Sequence, residues 1–375
     1  RSTLDRSSAA SDVYKRQMHF FETLDSAIAV LKDVVENNPD AKPLEEVDAL
    51  YHGDYSKWLK LANSVKLRLA MRICYVKPDL AKQYAMEAVR DGVMETADDS
   101  ALFQSWGSIT VINPLEKIWN GYSDTRMGAS MDSYLNGYND PRLPVYFQPV
   151  TDGDNKGEYR GVANGMPNPQ QEDYKAMSSP NVQEKSTDSP LRWMMASEVA
   201  FLRAEGAMRG WTAEMGGTAE EFYNKGIELS FLENGLSADA AARYAADETS
   251  KPTDFTDVSA ANTKYNISAL GKIAIKWNSG ASEEEQLERI ITQKWIAMFP
   301  NGTEAWSEFR RTGYPRLFPV RYNYPSSGVD TNKQIRRMVF PQSEYSNNGA
   351  AVQEAVKLLG GPDNGGTKLW WDKKN

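Results

Sequence analysis

The sequence predicts a mainly α protein, with helical hairpins as a scaffold and a loop-rich region packed on it. Apolar residues recur at helical spacing over several stretches, including 22–36 and 56–75. Short breaks join some of these stretches into antiparallel pairs, the unit of tetratricopeptide-type packing. Residues 100–190 lack this periodicity and are rich in the turn formers Gly, Pro, Asn and Asp.

Composition indicates a folded, acidic globular protein. The chain has 375 residues, of which 41% are hydrophobic, so it can bury a large core. Its net charge of −8 and pI near 5.1 argue against a nucleic-acid surface, because phosphate binding needs clustered Lys and Arg. No apolar run approaches the length that spans a bilayer.

Cysteine and histidine are too scarce for several kinds of site. Cys74 is the single cysteine, so no intramolecular disulfide can form, and we expect it to pack as a small hydrophobic residue. His19 and His52 have no partner at ligand spacing and supply no base for a nucleophile. We therefore expect no cofactor, no metal and no catalytic residue.

The first 17 residues differ from the rest of the chain. They show no periodicity, and SDVYKRQ resembles a translated sequencing-adapter remnant. We expect residues 1–17 to be non-native sequence and exclude them from the fold prediction.

The N-terminal half contains three predicted helices. The first covers 22–36, and the second covers 56–75 and stops before Pro78, with Lys66 and Arg68 largely outside its apolar face. Asp79 is predicted to cap the third, which continues to Gly92. The second and third form a hairpin because so short a break separates them.

A second hairpin is predicted after Pro190. Residues 192–211 carry spaced alanines that allow close approach of a neighbouring helix, and 219–236 form that partner. The loop-rich insertion of about 100–190 lies between the two hairpins, and so long an insertion is more often functional than not. A turn at 340–344 and a short helix near 350–359 are expected towards the end of the chain.

Residues 289–315 are predicted to form two helices joined by one turn. In the first helix, the spacing of Ile291, Trp295, Met298 and Phe299 places four apolar groups on one face. Gln293 and Lys294 fall outside that face. The prediction therefore leaves both polar side chains out of the core.

The second helix of this pair has local start and stop signals. Asn301 and Glu304 have capping-box spacing, and Glu308 can pair with Arg311 at i,i+3. Gly313 and Pro315 provide the stop. We expect Trp295, Trp306 and Phe309 to be buried in the scaffold, with ligand chemistry in the loops between 100 and 190.

Aromatic and polar residues in the loop-rich region form the candidate ligand site. A sugar-binding site needs an exposed aromatic face flanked by hydrogen-bonding groups. One short span offers both, in Trp106, Trp119, Asn120, Tyr122 and Asp124. The alternative is that Trp106 and Trp119 anchor the loops to the core. A second cluster of the same chemistry is formed by Tyr322, Asn323 and Tyr324.

A hydrolase is the less favoured interpretation. With 51 carboxylates in the chain, some pair of Asp or Glu is inevitable, so its presence carries no information. Glu304 and Glu308 lie one helical turn apart, but capping and ion pairing account for both. No nucleophile elbow, Walker-type loop or dinucleotide fingerprint is present.

One long segment resembles a known family. The run QKWIAMFPNGTEAWSEFRRTGYPRL at 293–317 is similar to the C-terminal signature of the SusD-like (RagB/SusD) family of outer-membrane lipoproteins. Segments 57–73, 113–147 and 336–372 also resemble the family, in the correct order. The resemblance implies a right-handed tetratricopeptide-like scaffold, with 18–375 forming a single SusD-like domain that lacks its N-terminal part.

The resemblance also implies a function. It predicts a non-catalytic, surface-exposed lipoprotein of the outer membrane that binds oligosaccharide over a SusC-like TonB-dependent transporter. The signal peptide and lipid-acceptor cysteine would lie in the missing part, and no nucleic-acid partner is expected. Two alternatives stay open: the ligand is a peptide or another nutrient, or the protein is a helical interaction subunit without a small ligand.

Overall fold

The structure is a computed structural model that describes residues 13–167, 170–181, 189–262 and 264–374. For 13–17, 120 and 325 it describes the backbone alone. Residues 1–12, most of the predicted non-native segment, therefore lie outside the described residues. That assignment stays a prediction.

The first three helices agree with the sequence prediction in order and type. They are α1 (Val13–Asn37), α2 (Tyr55–Arg72) and α3 (Pro78–Arg90), and α2 packs against both of the others. Asp54 caps α2 by accepting hydrogen bonds from the backbone N–H groups of Ser56 and Lys57. The capping role predicted for Asp79 is wrong, because Pro78 occupies the first position of α3 and Asp79 lies within its first turn.

A short sheet closes the base of the loop-rich region. Strand β1 (Ala101–Phe103) pairs antiparallel with β2 (Leu191–Met194), Ala101 opposite Met194 and Phe103 opposite Leu191. Between the strands lie α4 (Ala129–Gly137) and single helical turns at Pro114–Glu116, Lys117–Gly121, Leu143–Tyr146 and Gln171–Tyr174. The predicted irregular region is thus tied to the scaffold at both ends.

The second hairpin is formed by α5 (Ala196–Met208) and α6 (Ala219–Leu232), followed by α7 (Ala238–Ala245). Arg192 to Met194, predicted as the start of the helix, belong instead to β2. The two helices approach closely at Gly226, where an added Cβ would lie 2.7 Å from the ring of Phe201. Val199 and Leu202 of α5 pack in one hydrophobic core and Phe201 in another, so α5 lies between the two cores.

The segment 289–315 forms the predicted pair, α8 (Glu283–Ala297) and α9 (Gly302–Thr312). Asn301 caps α9 by accepting from the Glu304 N–H at 3.2 Å, and Gly313 ends it with φ of 79°. The carboxylate of Glu304 does not complete the capping box, because it pairs with Arg72. Local signals therefore predicted both ends of α9.

Burial in this pair only partly follows the prediction. Phe309 is buried, whereas Trp295 and Trp306 are half-buried. Gln293 and Lys294, predicted to lie outside the apolar face, are both fully buried. That prediction is wrong because α8 packs against α5, α6 and α9, so more than one of its faces is covered.

The last helix, α10, is longer than predicted and runs from Gln342 to Leu359. Part of the predicted turn at 340–344 therefore belongs to it. Asn348 interrupts the helix with non-helical dihedral angles, φ of −147° and ψ of 35°. The second part of α10 contains the predicted short helix.

Buried charges, together with the half-buried Arg68, join the hairpins in an ionic core. Its members come from α2, α5, α8 and α9, and they are Arg68, Glu198, Glu205, Lys294, Glu308 and Arg311. The Arg311 guanidinium donates to both oxygens of Glu205, at 2.7 and 2.6 Å, and to both oxygens of Glu308, at 2.9 and 2.6 Å. The predicted pair of Glu308 with Arg311 is confirmed. The pairing of Arg311 with Glu205 joins α9 to α5.

Lys66 and Cys74 are two further residues whose burial can be compared with the sequence prediction. Lys66, predicted to lie off the apolar face, is buried and pairs with Asp25 and Glu87, both at 2.6 Å. Cys74 is buried as predicted, and its Sγ accepts from Arg311 at 3.4 Å. Burial raises the pKa of the Cys74 thiol. The thiol is therefore a packing group of the scaffold.

Candidate ligand-binding cleft

A cleft of about 1090 Å³ opens between α2, β2 and the start of α9. The loop-rich region contributes one side, and the turn between α8 and α9 contributes another. The cleft is lined by Leu61, Val65, Arg68, Asn113, Leu115, Trp119, Pro144, Val145, Tyr146, Asn181, Ser189, Pro190, Leu191, Arg192, Trp193, Met194, Asn234, Phe299, Pro300, Asn301, Gly302 and Thr303.

Trp193 provides an exposed aromatic surface in this cleft. It lies in β2, and its ring stacks on Phe103 of β1 with centroids 5.2 Å apart and planes 18° apart. The side chain nevertheless remains 48% exposed. Pairing of the two strands therefore holds a large indole in a fixed orientation against the cleft.

Trp119 forms a second aromatic wall. It stacks on Phe299, in the turn between α8 and α9, with centroids 5.9 Å apart and planes 17° apart. Phe299 is itself held by Tyr146 and Phe147, with ring centroids at 4.8 and 5.1 Å. The scaffold turn thus supports a tryptophan that comes from the loop-rich region.

Amide groups border the aromatic surfaces. Asn234 Nδ2 donates to the Ser230 carbonyl at 2.7 Å, which orients its Oδ1 to accept from Arg192 Nη2 at 3.1 Å. Asn181 Oδ1 accepts from Gln148 at 2.6 Å, and Asn113 Oδ1 caps the turn at 114–116. These amides are held in place by their neighbours, as a preformed binding surface requires.

Both charged side chains among the described lining residues are arginines. Arg68 is held by a bidentate contact with Glu198 of the ionic core, at 2.7 and 2.6 Å. Burial works to lower the pKa of Arg68, but the nearby carboxylates of Glu198, Glu304 and Glu308 raise it overall. Arg68 stays charged at any physiological pH, with its charge balanced from behind the cleft.

The half-buried carboxylate of Glu233 supports the corner between β2 and α5. Glu233 accepts hydrogen bonds from Ser197 Oγ at 2.5 Å, Ser197 N at 3.0 Å and Ser100 Oγ at 3.0 Å. Burial raises the pKa of Glu233 against the opposing effect of these hydrogen bonds and of Arg192. The contacts position the strand that carries Arg192 and Trp193.

A second cavity of about 430 Å³ shares the Trp119 and Phe299 pair as a wall. Trp295 and Trp306 line it, together with Arg126. Trp306 is fixed there by donation from its Nε1 to the Ile335 carbonyl at 2.7 Å. The tryptophans that are half-buried in the scaffold therefore face this neighbouring cavity.

Comparison with known protein families shows which family the chain belongs to. The family model described as "SusD-like: Susd and RagB outer membrane lipoprotein" matches residues 2–372. The chain belongs to the SusD-like family.

Solved SusD-like structures share the fold over nearly the whole chain. A chitin-binding SusD homolog from Flavobacterium johnsoniae is 41% identical, with a TM-score of 0.88 over 96% of this chain and 73% of that one. A SusD-like protein from Bacteroides thetaiotaomicron is 42% identical, with a TM-score of 0.87 over 95% and 72% of the two chains. A SusD homolog from Bacteroides vulgatus is 35% identical, with a TM-score of 0.88 over 96% and 71%.

These similarities confirm the mainly α, tetratricopeptide-like fold that the sequence predicts. No curated protein matches the chain. Within the part of the chain that the structure describes, no helix has the length and apolar character needed to cross a bilayer. The same residues contain no cluster of three His, Cys, Asp or Glu side chains placed to hold a metal ion.

The structure separates the residues predicted as one site in this SusD-like chain. Trp119 lines the cleft, whereas Trp106, Tyr122 and Asp124 do not. Tyr122 is 58% exposed, with Lys117 Nζ 5.8 Å from its ring centroid, and Asp124 is exposed. The side chain of Asn120 lies outside the described residues.

Trp106 is held by the segment between α1 and α2. Its Nε1 donates to the Glu45 carbonyl at 2.7 Å, and its ring stacks on His52 with centroids 3.5 Å apart. The side chain is still 38% exposed. These contacts are those expected of a loop anchor, the alternative interpretation of this residue.

The secondary cluster forms an exposed aromatic pair outside the cleft. Tyr322 and Tyr324 are 47% and 72% exposed, and their rings meet edge to face with centroids 5.6 Å apart. Asn323 between them is half-buried. Their role as a second binding surface stays a prediction.

Sequence reasoning missed Arg192, Trp193 and Asn234. The sequence predicts a helix that begins at the run RWMM, and in a helix its tryptophan would be a core residue. The available signal was its position directly after the loop-rich region and Pro190, where a strand that returns to the scaffold can begin. A tryptophan beside an arginine at that point has the chemistry of a ligand surface.

Proposed function

We propose that this protein is a non-catalytic, glycan-binding lipoprotein of the outer-membrane surface that delivers oligosaccharide to a SusC-like TonB-dependent transporter. The observation that carries the proposal is the exposed Trp193, stacked on Phe103 and lining a cleft with Trp119. The description of the family as outer-membrane lipoproteins supports the location, and the transporter is what the resemblance to the SusD-like family implies.

The cleft has the chemistry that sugar binding requires. A pyranose ring has apolar C–H faces that pack on an indole and hydroxyl groups around its rim that form hydrogen bonds. Trp119 and Trp193 supply two such indole surfaces, and Asn113, Asn181 and Asn234 supply donors and acceptors beside them. Its volume of about 1090 Å³ lies just above the range of about 300–1,000 Å³ that is typical of small-ligand pockets, which favours an oligosaccharide over a single sugar.

The most relevant named relative binds a polysaccharide. The homolog from Flavobacterium johnsoniae, 41% identical to this chain, is described as chitin-binding. A binding role is further supported by the polar groups of the described lining, which are amides, hydroxyls and guanidinium groups. Glycoside hydrolysis uses a pair of carboxylates instead.

Affinity electrophoresis in gels that contain polysaccharide tests the proposal. Trp119→Ala and Trp193→Ala should each lower retention, with at least about a tenfold loss of affinity, equal to about 1.4 kcal/mol. Trp106→Ala is the matched control, because it removes an indole of similar exposure outside the cleft. Thermal unfolding of each variant shows whether the fold is intact.

The outcomes separate the proposal from its rivals. Retention lowered by Trp106→Ala or Tyr122→Ala and unchanged by the cleft variants would place the site elsewhere. Calorimetric binding of peptides with no heat from any oligosaccharide would favour a peptide ligand. Release of reducing ends from polysaccharide by the purified protein would contradict a non-catalytic role.

A further inference from the structure

The charge of the cleft differs from that of the whole protein. The chain carries 51 Asp and Glu against 43 Lys and Arg, for a net charge of −8. The charged side chains among the described residues of the cleft wall are nevertheless Arg68 and Arg192, both cationic. An anionic ligand is repelled by the protein as a whole, so attraction at this cleft requires a local excess of positive groups.

Arg192 differs from Arg68 because its hydrogen bonds go to uncharged oxygen atoms and not to a carboxylate. Its Nη2 donates to Asn234 Oδ1 at 3.1 Å and to the Glu233 carbonyl at 3.5 Å. Its Nη1 is buried without a hydrogen-bond partner among the described residues. The carboxylate oxygens of Glu233 are instead occupied by Ser100 and Ser197. Arg192 is thus held by uncharged hydrogen-bond partners in the same cleft wall that Trp193 lines.

Other polar groups of the wall favour the same ligand chemistry. Arg68 presents a guanidinium whose charge Glu198 balances from behind. Asn301, Gly302 and Thr303 bring the N-terminal end of α9 to the cleft, where the helix dipole is positive. Donors and positive potential therefore border the aromatic surfaces.

We infer that the cleft prefers an acidic glycan, one whose sugar rings carry a carboxylate or a sulfate, with Arg192 as the residue that selects it. The inference rests on the proposed function and adds the class of sugar. The C–H face of the ring packs on Trp193, and the anionic substituent accepts hydrogen bonds from the neighbouring guanidinium. Arginine suits this role because its planar fork matches carboxylate and sulfate oxygens.

Calorimetric titration with three tetrasaccharides tests the inference. A galacturonic-acid oligomer carries carboxylates, a chondroitin sulfate oligomer carries sulfates as well, and a chitin oligomer is neutral. At 50 mM salt, at least one acidic oligomer should bind about tenfold or more tighter than the neutral one. That preference should shrink at 300 mM salt, because salt screens the attraction.

Arg192→Gln is the decisive variant, because it keeps amide donors near Asn234 and removes the charge. It should abolish most of the preference for the acidic oligomer, because it should weaken binding of the acidic oligomer much more than binding of the neutral one. Arg243→Gln, a change of the same charge at an exposed position outside the cleft, should have no effect. Arg192→Lys keeps the charge and should retain part of the preference, which distinguishes a charge effect from misfolding.

Several results would overturn the inference. Equal or tighter binding of the neutral oligomer, or an acidic preference that survives Arg192→Gln, would do so while the proposed glycan-binding function stood. Binding by neither acidic oligomer would also reject it. If Trp193→Ala left the binding of every saccharide unchanged, the proposed site itself would fail.

Discussion

Arg311 illustrates how the run at 293–317, which resembles the SusD-like signature, acts on structure at the scale of a single residue. The side chain is fully buried, and its donors are divided between Glu205 of α5 and Glu308 of α9. Burial works to lower the pKa of Arg311, but the two carboxylates raise it well above its ordinary value. The residue holds two hairpins together through charge.

Arg311→Met should strongly destabilise the protein. The substitution leaves two buried carboxylates without their main partner, and breaking a buried pair in this way costs about 3–5 kcal/mol. Urea unfolding followed by tryptophan fluorescence measures the loss. Arg243→Met, at an exposed position, is the control and should change stability by less than about 0.5 kcal/mol. A loss below about 1 kcal/mol for Arg311→Met would contradict a central role for this residue.

Residues whose partners are nearby in the chain could be predicted, and those with distant partners could not. The cap at Asn301, the Glu308 and Arg311 pair and the stop at Gly313 each depend on neighbours within a few positions. Lys294 was misplaced because its partners lie on other segments: Glu308 at 3.1 Å and Glu198 at 3.9 Å. Periodicity ranks a lysine as exposed unless the fold is known.

At the scale of secondary-structure elements, the close contact between α5 and α6 depends on a glycine, Gly226, which has no side chain to separate the helices. An added Cβ at Gly226 would lie 2.7 Å from two ring atoms of Phe201. Phe201 is itself fully buried and cannot move into solvent. Glycine therefore sets the distance between the two helices.

Gly226→Ala should destabilise the protein by about 1–3 kcal/mol, the usual cost of overpacking a core. Alanine in a helix interior is otherwise favoured over glycine by about 1 kcal/mol, so the packing effect has to exceed this gain. Gly349→Ala in α10 is the matched control, because nothing lies within 4 Å of its added Cβ. Chemical unfolding of both variants is the measurement, and a stabilised Gly226→Ala protein would refute the close-contact account.

The elements themselves were largely predictable, apart from their long-range pairing. The hairpins appear because apolar periodicity and breaks are local properties, and residues 100–190 are irregular as their composition predicts. The pairing of β1 with β2 was missed, since the strands are short and lie at opposite ends of the loop-rich region. That pairing places Trp193 in the cleft, so missing the strand also meant missing the site.

At the scale of the whole molecule, the ionic core makes stability depend on pH. Burial alone would raise the pKa of Glu205, but Arg311 and Arg209 lower it from 4.5 to about 2. A carboxyl group with a lowered pKa in the folded state contributes stability that is fully present above pH 4.5. This contribution is lost as the pH falls towards about 2.

A comparison of wild type with Glu205→Gln tests this dependence. The difference in free energy of unfolding between the two proteins should be largest above pH 4.5 and should shrink steadily towards pH 2. Glu228→Gln, at a half-buried carboxylate outside the ionic core, is the control and should change stability by less than about 0.5 kcal/mol. A difference that stays constant across this range would mean that Glu205 does not titrate as its ion pairs require.

The cleft also belongs to the scale of the whole molecule, because segments far apart in the chain form it. The sequence predicts that the run at 293–317 acts as scaffold, with the main ligand chemistry in the loops between 100 and 190. In the structure, Phe299 to Thr303 from that run face the same cleft as Trp119 and Trp193. A single sequence shows which aromatic residues are available, but their meeting point depends on the tertiary fold.

The most direct test of the central claim is a crystal structure of the protein with an oligosaccharide that it retains in affinity gels. The account predicts a sugar ring packed on the indole of Trp193, with further rings towards Trp119 and polar contacts from Arg192 or Asn234. Sugar bound instead at Tyr322 and Tyr324, or near Trp106 and Tyr122, with the cleft at Trp193 unoccupied, would contradict it.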